Sequence, residues 1–222
     1  MGNVLRVQLA IGEGQDAAMT IPLADGTWLL ALADGAGSAA HAQQAAQLAS
    51  KRCLRYLQRQ GRIRLITLLE AFEDVRRALQ QRARDTQTRQ QEWGCTLISA
   101  VVFPTGECLG ASVGDSWLAY ERGGIWQSVF TRDRGAFANE TRFIVDGSAP
   151  IALARWWITG ALVACSDGMD ELAWSCADSA PYSPFFQGLT RHASSQEVLD
   201  ELFRQPDLVR RLTDDCSLIL CR

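Results

Sequence analysis

The sequence predicts a layered α/β sandwich, two sheets with helical pairs over their outer faces. Three observations carry it. Apolar runs of strand length recur along the chain, with two long helical patterns after the third and further helical patterns before the last. Several of these runs stop at an aspartate beside a glycine, so carboxylates collect where strands end. With 222 residues and 47% hydrophobic content, a single domain over 1–222 can bury a sizeable core.

Val4 to Ile11 reads as the first strand and Ala17 to Leu23 as the second, with Asp16 on the connection. Asp25-Gly26 is a hairpin signal. Trp28 to Ala33 is apolar throughout, as suits a strand buried on both faces, and it ends in Asp34-Gly35. Ala39 to Gln60 reads as a helix, with Ser38 as N-cap and Gly61 as its stop. His41, in its first turn, is read as an exposed helix-start residue rather than a catalytic one. Ile63 to Arg89 is a second helix, on which Leu65, Leu68, Leu69, Phe72, Val75, Arg76 and Leu79 keep a helical period. Arginines crowd both helices. Glu70, Glu73, Asp74 and Asp85 balance them, so a solvated face is the expectation, not a surface for nucleic acid.

From Trp93 the period becomes that of strands. Cys95 to Phe103, Cys108 to Val113, Ser116 to Glu121 and Trp126 to Phe130 are expected to form a meander, with Trp117, Trp126, Trp156 and Trp157 packed around it. Arg132 to Asn139 reads as irregular and Thr141 to Val145 as a short strand. Trp156 to Ala164 is expected to be one buried strand that delivers Asp167. Gly168 to Trp174, Tyr182 to His192 and Ser195 to Arg204 read as helices, and Cys216 to Cys221 as the last strand.

A net charge of -3 gives no general attraction to nucleic acid or to an anionic membrane. The N-terminus lacks an apolar signal core, no transmembrane run appears, and Arg6 stands where a myristoylation motif wants Ser or Thr. Seven scattered cysteines without a Cys-x-x-Cys pair suit free thiols in a reducing cytoplasm. With only His41 and His192 available, a zinc site is not expected.

The acids repeat one arrangement. Asp34-Gly35 is echoed by Val113-Gly114-Asp115-Ser116, by Cys165-Ser166-Asp167-Gly168 and by Thr213-Asp214-Asp215, and Gly12-Glu13-Gly14-Gln15-Asp16 precedes them. Carboxylates at strand ends, with glycine carbonyls beside them, suit a hard divalent cation; each alone also reads as an ordinary turn residue. In this order the motifs resemble the metal-dependent serine/threonine protein phosphatases of type 2C, in their small bacterial branch. Gly94-Cys95-Thr96-Leu97 and Ala138-Asn139-Glu140-Thr141 match that branch as well.

The resemblance implies a four-layered α-β-β-α sandwich of two mostly antiparallel sheets, with the metal site at one edge. It implies two manganese or magnesium ions and a third, weaker one. Asp34 would bridge the pair with the Gly35 carbonyl on one ion, Asp167 and Asp214 would bind the other, Asp16 would act through bound water, and Asp115 would hold the weaker ion. Asp215 would stand behind the ligands. Asp16, Asp34, Asp167 and Asp214 are thus the candidate catalytic acids. The implied reaction is hydrolysis of phosphoserine and phosphothreonine in a protein substrate by metal-activated water, reversing a bacterial kinase, in a monomeric cytoplasmic enzyme.

One departure stands out. Many members carry an arginine just before the first acidic motif, where it grips phosphate; here Ile11 and Gly12 occupy that place, and Gln15 replaces a common glutamate. Arg6, the nearest basic residue, is the candidate phosphate ligand. The rival expectations are a pseudophosphatase serving as a phosphopeptide-binding or regulatory module, and a metal-dependent nuclease, which the net charge disfavours.

Overall fold

The structure is a computed structural model that describes residues 4–9, 14–131, 141–191, 201, 203–210 and 212–222. Its frame is two five-stranded sheets in which all neighbours are antiparallel. One, here the terminal sheet, has the order β1-β12-β9-β6-β7: Val4–Leu9, Cys216–Cys221, Leu162–Cys165, Trp117–Arg122 and Ile125–Ser128. The central sheet has the order β2-β3-β4-β5-β8: Ala17–Pro22, Trp28–Ala33, Leu97–Val102, Glu107–Val113 and Ala152–Trp157; β10 (Trp174–Ser175) and β11 (Ala180–Pro181) form a short separate hairpin.

Strand alternation builds three apolar layers. Along β3, Leu30 and Leu32 turn into the layer between the sheets, where they meet Ile98, Leu118, Leu162 and Ile219. Leu29, Ala31 and Ala33 turn the other way, toward helices α1 (Ala42–Gln58) and α2 (Leu65–Asp85). The face α1 presents to the sheet is small, with Ala42, Ala45, Ala46, Ala49 and Cys53, so the helix sits close to it. Beyond the terminal sheet, Trp117, Phe186, Leu189 and Met169 form the third layer with α3 (Asp170–Ala173) and α4 (Ser183–Arg191). The expected α-β-β-α order of layers is therefore present. Among the described residues no helix is long and apolar enough to cross a membrane.

Several boundaries differ from the sequence reading, each for a local reason. The strands from Cys95 to Phe130 do not form one meander: β4 and β5 belong to the central sheet, β6 and β7 to the terminal one. The chain changes sheets at Gly114, whose φ of +103° suits glycine, and a Cβ there would meet the Thr96 side chain at 2.5 Å. The run Trp156 to Ala164 is likewise two strands in different sheets, β8 and β9. Periodicity reports which face a residue takes but not which sheet owns the strand. The stretch from Thr141 to Val145 is turn, not strand. There Ile144 N–H donates to the Cys95 carbonyl at 2.9 Å, while the buried Arg76 guanidinium donates to the carbonyls of Ile144 and Ala149 at 3.0 and 2.7 Å.

Helix α1 starts at Ala42 instead of Ala39, and Ser38 is not its cap. His41 precedes it and is half-buried rather than exposed, stacked on Trp93 with ring centroids 4.6 Å apart. Of the four tryptophans expected around the strands, Trp117, Trp126 and Trp156 are buried, but Trp157 is 58% exposed. Helix α2 ends at Asp85, and Gln90–Trp93 is a separate 3-10 turn. Arg132 to Asn139, and most of the helix expected over Ser195 to Arg204, lie outside the described residues.

Candidate active site

The acids meet at one edge of the sandwich because strands of both sheets end there. In the central sheet Ala17 pairs with Ala33, so the next step along the register sets Asp16 beside Asp34. Asp34 is fixed through its backbone: its N–H donates to Thr96 Oγ1 at 3.2 Å, and its carbonyl accepts from Thr96 N–H at 2.8 Å. Thr96 Oγ1 in turn lies 2.9 Å from Ser116 Oγ. Gly35 pairs with Cys95, and a Cβ on it would come within 2.8 Å of the Ala42 backbone and 2.9 Å of the Gln15 carbonyl. Only glycine lets the chain pass between α1 and the Gln15–Asp16 segment.

The terminal sheet supplies the other acids. Cys165, the end of β9, pairs with Leu218 and Trp117, and Asp167 follows in a 3-10 turn. Asp214 and Asp215 stand just before β12. Ser166 N–H donates to the Ser217 carbonyl at 3.0 Å, and Ser217 N–H to Ser166 Oγ at 2.9 Å, which locks the two motifs together. The buried Asp215 carboxylate accepts the Gln15 N–H, tying the Asp16 segment of one sheet to the last strand of the other. Asp115, at the crossing between sheets, accepts from Thr141 Oγ1 at 2.6 Å.

A Cβ on Gly168 would stand 2.1 Å from the Asp215 carbonyl oxygen and 3.2 Å from that of Asp214. The Gly168→Ala change must therefore push apart the loops that hold Asp167 and Asp214. We expect a loss of about 2–3 kcal/mol in chemical unfolding, the range of an overpacked core, with activity falling further than stability. Wild-type stability in that variant would mean the two loops yield freely.

The electrostatics show how closely the acids feel one another. Burial pushes the Asp16 carboxyl up to about 7, against the pull of hydrogen bonds with Ser217, Ser166 and Asp34. Asp34 is held well above the usual carboxylate range, first by burial, then by the charges of Asp16 and Asp167. Asp167 is raised by burial and by Asp115 and Asp214, while its hydrogen bond with Asp34 works the other way. The charged groups that act most strongly on Asp34 are all carboxylates, so ionising the cluster needs positive charge from outside it.

Asp16, Asp34, Gly35, Asp115, Asp167 and Asp214 are thus brought to one neighbourhood by five different stretches of backbone. Among the described residues, however, no three Asp, Glu, His or Cys side chains close into a ligating group. Mutual repulsion opposes such closure. Arg6 lies on β1 opposite Ile219, three residue steps, about 10 Å, from the Leu9–Cys216 pair at the acid end. Ile11 and Gly12 fall outside the described residues. Sequence reasoning missed the hydroxyl layer of Thr96, Ser116, Ser166 and Ser217, which holds the acids' backbones and side chains. Its signal was present: three of the four stand within two residues of an acidic motif.

The family model described as protein phosphatase 2C matches residues 13–210. The chain belongs to the protein phosphatase 2C family. Among relatives, serine/threonine-protein phosphatase 3 of Escherichia coli (strain K12) is 30% identical over 208 residues, covering 85% of this chain and 81% of that protein. A serine/threonine phosphatase from Staphylococcus aureus superposes with a TM-score of 0.74 at 16% identity, over 99% of this chain and 94% of its own. PppA of Pseudomonas aeruginosa gives 0.73 at 18%, over 98% and 96%. At such identities the two structures speak for the fold, and they place this two-sheet frame among 2C phosphatase folds.

Proposed function

We propose that the chain hydrolyses phosphoserine and phosphothreonine in protein substrates and so reverses a serine/threonine kinase. The observation that carries this reading is the convergence of Asp16, Asp34, Asp167 and Asp214, from both sheets, on one edge. The donor set fits a hard divalent cation: it is all oxygen, and Asp167 Oδ1 is buried without a hydrogen-bond partner. Manganese or magnesium, two ions with a weaker third, would be held by Asp34, the Gly35 carbonyl, Asp16, Asp167 and Asp214, with Asp115 for the third. Such ions supply an activated water and charge neutralisation at the phosphate.

The chain's own part is positioning. Thr96 fixes the backbone of Asp34, Ser166 and Ser217 lock the Asp167 and Asp214 motifs together, and Gly168 lets Asp167 stand against the Asp214 loop. All seven cysteines are free and only Cys176 is exposed, which suits a reducing cytoplasm. The deciding experiment is turnover of p-nitrophenyl phosphate and of a phosphothreonine peptide with and without manganese. Peptide binding with no turnover would instead make the chain a regulatory binding module.

Arg6 is our candidate for the phosphate contact. A charge-assisted bond of this kind is worth about 1.5–3 kcal/mol, so Arg6→Ala should raise the KM for p-nitrophenyl phosphate roughly ten- to a hundredfold with manganese affinity unchanged. An unaltered KM would assign Arg6 to the strand alone.

A further inference from the structure

Along its β8 edge, the outer face of the central sheet stays open to water. Along the edge strand β8, Ala154 and Trp156 turn into the layer between the sheets, whereas Leu153, Arg155 and Trp157 face outward. Leu153 is 37% exposed and Trp157 58%; with Ile66 at 54%, they are three of the five large hydrophobics exposed among the described residues. Between β8 and the start of α2 lies a groove of about 650 Å3. Leu23, Ile63, Leu65, Phe103 and Leu109 line it, and Ile66 stands at it.

The charges around this groove are unequal in a specific way. Its two acids are already engaged: Glu107 holds Arg155 at 2.8 Å, and Asp25 accepts the Thr27 N–H at 2.9 Å. Arg155 also lies over the Trp157 ring, 4.9 Å from its centroid. Its other two cations, Arg62 and Arg64, are exposed and make no ion pair among the described residues. Lys51 and Arg55 on successive turns of α1, and Arg59 just past its end, are likewise exposed and without an ion pair among the described residues. Other basic groups on the same helices are paired, as in the Arg52–Asp74 contact at 2.6 Å and that of Arg76 with Glu73. A chain of net charge -3 thus keeps unspent positive charge at this apolar corner.

We propose that this groove docks an acidic segment of a partner protein, one that carries apolar or aromatic side chains between its carboxylates. The apolar floor would take the anchors, and Arg62, Arg64 and the α1 ladder would take the acids. The groove reaches Thr27, at the start of β3, while Asp34 follows its far end. Seven residue steps along β3, about 23 Å, separate the two, so docking leaves the acid edge free.

The test reads binding directly and does not depend on hydrolysis. A random 12-residue peptide library displayed on phage is selected on the immobilised full chain, and enriched peptides are labelled and titrated in solution. We expect sequences in which Asp or Glu alternates with Leu, Phe or Trp, bound more weakly as salt rises. Arg62→Glu with Arg64→Glu, and separately Trp157→Ala, should each weaken binding at least tenfold with an unchanged melting temperature. No enrichment, enriched peptides without acids, or affinities within twofold of wild type in both variants would overturn the proposal. So would a wild-type dimer that the arginine variant dissociates, since the groove would then bind a second copy of the chain.

Discussion

Replacing Asp34 by asparagine is expected to lower phosphatase turnover by about three orders of magnitude or more, near 4 kcal/mol of transition-state stabilisation. Asp167→Asn should do the same. The change is nearly isosteric, and the hydrogen bonds that hold residue 34 run through its backbone to Thr96, so the fold should survive. In chelator the Asp34→Asn protein should even match or exceed the wild-type melting temperature, because one member of a self-repelling carboxylate group is gone. The measurement is p-nitrophenyl phosphate turnover at saturating manganese beside a thermal melt. Activity within tenfold of wild type would remove Asp34 from the reaction. Lost activity with a collapsed melt would make it a structural residue instead.

Asp34 was legible in the sequence for a physical reason. A carboxylate ending a strand buried on both faces has no water on either side of the backbone, so it must stand at the rim of the core. The same reasoning picked out Asp167 and Asp115, even though the strand before Asp167 was misdrawn. Trp156 to Ala164 looked continuous because Thr159-Gly160 is a short interruption, while the acid edge depends only on where β9 stops. What could not be read was the pairing. Nothing in the composition of Asp215 says that its carboxylate takes the Gln15 N–H 200 residues away. Arg76 shows the same limit: its place on the apolar stripe of α2 was legible, but not that its guanidinium, 7% exposed, would satisfy two carbonyls of the Ile144–Ala149 turn. The paired charges at Arg52, Asp74 and Glu73 fit the expected solvated face; the unpaired ones at Arg62 and Arg64 needed the groove beside them to acquire meaning.

The Asp16→Asn variant should change how stability depends on pH. Burial raises Asp16 from an ordinary 3.8 to about 7, so between those values the folded protein holds a proton that the unfolded chain has released. Stability from this group therefore falls as pH rises from about 4 to 7, by up to roughly 1.4 kcal/mol per pH unit. Near pH 4 only a small part of that difference has developed, so wild type and variant should be closer there than at neutral pH. Near pH 7 in chelator the variant should be the more stable one. The full shift would give about 4 kcal/mol, but the residue is only half-buried and its neighbours relax, so about 2 kcal/mol is the expected difference. Excess manganese at the same pH should reverse the order, because ligand binding to the folded state favours the protein that keeps all its carboxylates. Urea unfolding at pH 4.5 and 7.5, with chelator and then with manganese, measures all four cases. A variant that is less stable than wild type at pH 7.5 in chelator would show that Asp16 acts chiefly as a hydrogen-bond acceptor for Ser166 and Ser217, and that its burial is fully compensated by them.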